Sequence, residues 1–211
     1  MLGLILDTST DQSLIALTNN GQILACKTIA HGQNLSQNLL PSINKILEEN
    51  KVTLKELSKI SIGIGPGSYT GTRISVAVAE SLSLALSIPL YPFCSLLAFL
   101  PPTLPQGPFA FIIHPKNPSW FALKGYFEGG QIQIPLSQHI SQKQELLPFL
   151  EGVPLLLSFH PDTLSEHLSD LPISKSRILN ATPNVALLVP YLSELEKSPT
   201  QKPEIIYLHN F

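Results

Sequence analysis

Residues Leu2 to Leu6 form a short apolar run that ends at Asp7. Two more strand patterns follow, Ser13 to Leu17 and Gln22 to Thr28, around Asn19-Asn20-Gly21. An Asn-Gly turn between strand patterns predicts a hairpin, so the chain is expected to open with three successive strands. From Asn34 to Glu49 the period changes. Leu35, Leu39, Leu40, Ile43, Ile46 and Leu47 fall on one helical stripe, with Asn44, Lys45, Glu48 and Glu49 mainly outside it. Pro41 lies inside this pattern and predicts a bend or a later helix start. Ile60 to Ile64, stopped by Gly65-Pro66-Gly67, reads as a buried strand, and a long helical stretch follows from Gly71 to Ser87. Its only charges are Arg73 and Glu80. Apolar residues cover most of its circumference, so it is expected to be buried on more than one side. Ala77, Ser81 and Ala85, four apart, form a small-residue strip that permits close helix approach. This helix reads either as the centre of the chain's own core or as one shared with a partner.

Pro101 to Pro108 holds four prolines in eight residues, a density that regular structure does not survive. The domain boundary is placed here, giving residues 1–100 and 101–211. Beyond it, Phe109 to Ile113 reads as a strand, and Trp120 to Phe127 with Gln131 to Pro135 as a hairpin around Gly129-Gly130. Gln142 to Leu150 is a weak helix, Pro154 to Ser158 a strand, and Asn184 to Leu195 a helix flawed by Pro190. Ile205 to Leu208 reads as a final strand. No repeat is visible in the sequence.

Composition narrows the class. Of 211 residues 44% are hydrophobic, enough for a core, while only 13% are charged, about half the usual globular share. That excludes a disordered chain. Thirteen basic against fifteen acidic side chains leave no basic face for autonomous nucleic-acid binding. Cys26 and Cys94 are too few for a disulfide scaffold and too distant in sequence for a zinc knuckle; they read as small buried thiols. The N-terminus lacks a basic signal-peptide region, and the longest apolar region, Ile74 to Leu90, is too interrupted to span a membrane. A cytoplasmic protein without membrane association is expected. The shortage of charge suggests that part of the surface is covered by a partner.

Two loops carry candidate chemistry. Asp7-Thr8-Ser9-Thr10 ends a strand, as do the phosphate loops of actin-like ATPases; its side chains could equally satisfy the turn. Gly65-Pro-Gly-Ser-Tyr-Thr-Gly-Thr-Arg73 joins a strand to a helix N-terminus, where free N–H groups can bind an anion. It lacks the Gly-Lys-[Ser/Thr] of a Walker A loop. It is not a nucleophile elbow, because Pro66 and Thr70 stand where G-x-S-x-G around Ser68 requires glycines. Its other reading is a tight turn with an N-cap from Ser68 or Thr70.

Taken together and in this spacing, DTST, the amphipathic helix with Leu39-Leu40-Pro41, and GPGSYTGTR resemble the TsaB (YeaZ) family. The family shows GPGS-aromatic-TG-x-R at the second loop, and the resemblance covers about residues 1–100. It implies an α/β, actin/Hsp70-like (ASKHA) fold with two ribonuclease-H-like lobes, the second short. It implies a non-catalytic subunit of bacterial tRNA threonylcarbamoyladenosine synthesis, paired with the catalytic paralogue TsaD through two first-lobe helices. The expected interface residues are Leu35, Leu39, Ile43, Ile74, Ala77, Val78, Ser81, Leu82 and Ala85. The expected motif-loop residues are Asp7, Thr8, Ser9, Thr10, Gly65, Gly67, Ser68, Gly71 and Arg73. No catalytic residue, metal or cofactor is expected, with ATP binding weak or absent. A TsaE-like ATPase would dock on the pair, tRNA would be reached only indirectly, and the same helical patch could make a homodimer.

Departures concern mostly the second half. The catalytic relatives carry His-x-x-x-His for a metal, but His31 is followed four residues later by Leu35. A frequent Asp-Ala-Arg segment is His114-Pro115-Lys116, and the usual Tyr-Leu-Arg near the C-terminus is Tyr207-Leu208-His209. The alternative function is an ATP-dependent phosphotransferase using Asp7 and the glycine loop. A peptidase using Ser68 with His31 or His114 is a more distant one.

Overall fold

A computed structural model describes residues 1–30, 34–113, 120–140, 143–171, 178–197 and 202–206. The chain divides into two compact units, one of Met1–Phe99 with the segment that starts at Pro183, the other beginning at Leu100.

The first unit opens with β1 (Leu2–Asp7), β2 (Gln12–Asn19) and β3 (Gln22–Ala30). Asn20 and Gly21 both have positive φ, 50° and 77°, which is the primed turn that lets twisted strands fold back on each other. Helix α1 (Leu35–Glu49), β4 (Leu57–Gly63), α2 (Tyr69–Leu86) and β5 (Leu90–Phe93) follow. The sheet order is β3-β2-β1-β4-β5, antiparallel among the first three and parallel from β1 to β4 and β5. Pro41 lies inside α1, which starts at Leu35. Leu4, Leu6, Ile15, Leu17, Ile60 and Ile62 meet Leu39, Ile43, Ile46 and Leu47 of α1 and Val76 and Ala79 of α2 in one core.

Strand side chains alternate between faces, so Ile5, Leu14 and Ala16 belong to the opposite face, and they are buried as well. A sheet apolar on both sides needs two layers. Helix α5 (Leu188–Leu195) buries Leu188, Val189 and Leu192 and lies against β5. Just beyond it, Glu196 pairs with Lys59 of β4, on the face away from Ile60 and Ile62. The single cut near residue 100, with everything after it in a second lobe, therefore differs from the structure at residues 183–197 and 202–206, which group with the first unit. The expected final strand also fails at its described part. Residues 202–206 form no strand, although the Ile206 N–H donates to the Ile64 carbonyl at 2.7 Å.

The second unit holds β6 (Gly107–Ile113), β7 (Trp120–Glu128), β8 (Gln131–Ile140), α3 (Leu146–Phe149), β9 (Leu155–Ser158), α4 (Pro161–His167) and β10 (Ile178–Asn180). Its sheet runs β8-β7-β6-β9-β10, with β6–β7 and β7–β8 antiparallel and β6–β9 and β9–β10 parallel. Taken in chain order, this repeats the topology of the first sheet. The repeat is one of topology without visible sequence repetition, and α3 and α4 are only 4 and 7 residues long. Two α/β units of this order make the expected two-lobed, actin-like fold. Among the described residues no helix is long and apolar enough to cross a membrane.

Candidate functional site

The two motif loops meet at the ends of β1 and β4. Asp7 is fully buried, and its Oδ1 accepts from the Ser9 N–H at 2.8 Å and the Ser9 hydroxyl at 2.6 Å. Oδ2 makes no hydrogen bond. Burial pushes the Asp7 carboxyl up to about 6, while the Ser9 and Ser95 hydroxyls and the Ser9 N–H pull the other way. Beside it, burial raises the Cys94 thiol to about 12, with the Asp7 charge adding to the rise.

The glycines record how close the loops lie. A Cβ on Gly67 would stand 2.2 Å from the Ser9 carbonyl oxygen, and one on Gly71 would stand 2.1 Å from that of Thr8. Gly65 has φ +94°, and its face is closed by the Ile206 carbonyl, 2.4 Å from a built Cβ. Across this contact the Ser68 N–H donates to the Ser9 carbonyl at 2.6 Å and the Thr8 hydroxyl to the Gly71 carbonyl at 2.6 Å. Ser68 caps α2 by accepting from the Gly71 N–H at 3.1 Å, and the Gly65 N–H donates to the Ser95 hydroxyl at 2.8 Å. Thr10 closes its own turn on Gln12. The Thr8 hydroxyl and the Gly65, Ser68 and Gly71 N–H groups are thus engaged within and between the loops. Arg73 is exposed, its guanidinium 3.9 Å above the ring of Tyr69 one turn earlier.

The nine expected interface residues separate by depth. Leu39 and Ile43 are 0% exposed inside the chain's own core, so they cannot meet a partner. The helical stripe of α1 marks the side facing the sheet. Leu35 is half-buried, and Ile74, Val78 and Leu82 are half-buried against the same core. Ala77, Ser81 and Ala85 are exposed, and the Ser81 hydroxyl folds back onto the Ala77 carbonyl at 2.7 Å. Leu84, absent from the expected set, is 84% exposed. It stands seven residues after Ala77 and three after Ser81, so helical periodicity alone puts it on this face. Leu40 and Tyr69 are exposed too.

Among the described residues no three His, Cys, Asp or Glu side chains gather as a metal site would require. His31, His114-Pro115-Lys116 and Tyr207-Leu208-His209 lie outside the described residues. Cys94 is half-buried, but Cys26 is exposed on β3, against the expectation of two buried thiols.

The family model of TsaD, tRNA N6-adenosine threonylcarbamoyltransferase, matches residues 27–124. The TsaB protein of Haemophilus influenzae, a tRNA threonylcarbamoyladenosine biosynthesis protein, is 32% identical over 95 residues, 45% of this chain and 40% of that one. The TsaB of Buchnera aphidicola is 37% identical over 93 residues, 44% of each chain. The matches thus span less than half the length of these curated relatives. In structure, a Pseudomonas aeruginosa protein described as similar to peptidase YeaZ superposes with TM-score 0.81 at 20% identity, covering 99% of both chains. A YeaZ structure from the same species gives 0.75 at 20% identity, covering 96% and 95%. The chain thus resembles the TsaD family model over residues 27–124 and TsaB proteins over less than half its length, and it shares the fold of the YeaZ structures along its whole length.

Proposed function

We propose that this protein is a non-catalytic subunit of tRNA threonylcarbamoyladenosine biosynthesis that pairs with a TsaD-like catalytic paralogue through the outward face of α2. The observation that carries this reading is the strip of Ala77, Ser81, Leu84 and Ala85, uncharged and exposed on a helix whose other side, through Val76 and Ala79, packs into the core. Small residues let a second helix approach closely, and Leu84 supplies apolar area that stands exposed to water. The names of the curated relatives supply the pathway. The chain takes no nucleotide of its own in this reading, which the engagement of the Thr8 hydroxyl and the Gly65, Ser68 and Gly71 N–H groups within and between the loops supports. A TsaE-like ATPase docks on the pair, tRNA is reached only through it, and the complex works in the cytoplasm. A phosphotransferase reading has less support, since Asp7 is buried and its loop is closed by the glycine loop.

The test is native mass by light scattering of the chain alone, with its cognate TsaD-like protein, and as Ala77→Arg. The expected result is a 1:1 complex that Ala77→Arg abolishes while the isolated variant keeps its circular dichroism spectrum. Separate species at micromolar concentration for the wild-type pair overturn the proposal.

A further inference from the structure

We propose that the cavity between β3 and α1 binds a small aliphatic carboxylate. It is a half-open depression of about 250 Å³ lined by Ile15, Lys27, Thr28, Ile29, Ser42 and Lys45. That is below the roughly 300–1,000 Å³ of pockets for drug-sized molecules, so the occupant is small. Strand alternation decides what each lining residue offers. Ser13 pairs with Ile29 and Ile15 with Lys27, so Lys27 and Ile29 share the α1 side of the sheet with Ile15. Thr28 pairs with Leu14 and so belongs by alternation to the other face.

The charge arithmetic selects a monoanion. Lys27 is ion-paired with Glu49 on α1, which holds the Glu49 carboxyl below its usual range. Lys45 stands one turn before Glu49 and adds a second cation near the same carboxylate. Of the groups that line the cavity or pair with its lining, two ammonium groups stand against the Glu49 carboxylate, with Glu48 on α1 outside the lining. Ser42, three residues before Lys45, lies on the same side of α1 and makes no side-chain hydrogen bond among the described residues. A carboxylate between the Lys45 ammonium and the Ser42 hydroxyl satisfies both, and its alkyl body covers Ile29 with Ile15 behind it. A phosphate dianion would need the second cation, which Glu49 already holds. The site is separate from the motif loops and from the α2 strip, so it stands independently of the proposed subunit role.

The experiment titrates sodium butyrate into the full 15N-labelled chain and follows the amides of Ile29, Ser42 and Lys45, with inorganic phosphate as a parallel titrant. Saturable shifts with a Kd on the order of 1 mM are expected for butyrate. Lys45→Met should weaken binding at least about tenfold, the loss of one charge-assisted contact. Lys45→Gln repeats the test, so that misfolding of one variant does not replace the result. No saturation, butyrate binding unchanged in both variants, or phosphate binding as tight as butyrate each overturns the assignment.

Discussion

Asp7 Oδ2 occupies the space that a side chain on Gly63 would need: a Cβ built there stands 1.7 Å from it. The carboxylate at the end of β1 fills the notch left by the last residue of β4, with the Ser95 hydroxyl 2.7 Å from the same Cβ position. Gly63→Ala must displace Asp7, and overpacking of this kind costs about 1–3 kcal/mol. Urea denaturation is expected to show that loss, and Asp7→Ala in the Gly63→Ala background should recover part of it. Additive losses from the two substitutions would contradict the contact.

The same buried carboxyl makes stability depend on pH. Its folded pKa, about 6, lies above the ordinary value of 3.8, so the folded state holds the proton more tightly. The stabilisation is complete below about pH 4 and is lost as pH rises through 6. The two values differ by about 2 units, or about 3 kcal/mol at most. Asp7→Asn keeps an acceptor for Ser9 and carries no charge, so it should flatten this dependence and be more stable than wild type at pH 7.5. Denaturation midpoints of both proteins from pH 4.5 to 7.5 measure it, and parallel profiles would refute it.

Gly67 and Gly71 are required for a different reason, since the atoms their Cβ positions would strike are main-chain oxygens of Ser9 and Thr8. Backbone cannot move aside as a flexible side chain can. Gly71→Ala should therefore destabilise the chain by at least about 1 kcal/mol despite the better helix propensity of alanine. Ser68→Ala removes the cap from α2 and should cost about 1 kcal/mol. Thermal melts rank the three proteins, and a Gly71→Ala variant more stable than wild type would be inconsistent with the interlocked loops.

Leu39 and Leu84 offer a paired test of depth. Leu39→Ala opens a hole in the core and should cost about 2–5 kcal/mol. Leu84→Ala touches a side chain already in water and should change stability by less than about 0.5 kcal/mol. If α2 meets a TsaD-like partner, the second substitution should nevertheless weaken pairing in sedimentation, whereas a Leu84→Ala chain that pairs as wild type moves the interface elsewhere.

Local pattern determined a large share of this protein. The opening hairpin follows from Asn20-Gly21, β4 from an apolar run stopped by glycines, and α1 and α2 from their spacing. The motif loops were legible too, because only glycine tolerates a carbonyl oxygen where its Cβ would be, and GPGSYTG carries three of them. The short α4 and three-residue β10 were not legible, since neither repeats a period long enough to register.

Tertiary structure alone decided three matters. It returned residues 183–197 and 202–206 to the first unit, because an apolar run such as Leu2–Leu6 states that both faces of a sheet are buried without saying what buries the second. It moved Leu39 and Ile43 from an expected interface into the core, since a helical stripe marks one buried face and cannot say whether the cover is the chain's own sheet or another molecule. And it showed that the two candidate phosphate loops bind each other. Thr8 with Gly71 and Ser9 with Ser68 are about sixty residues apart in sequence, and only the parallel pairing of β1 with β4 brings them within hydrogen-bond reach.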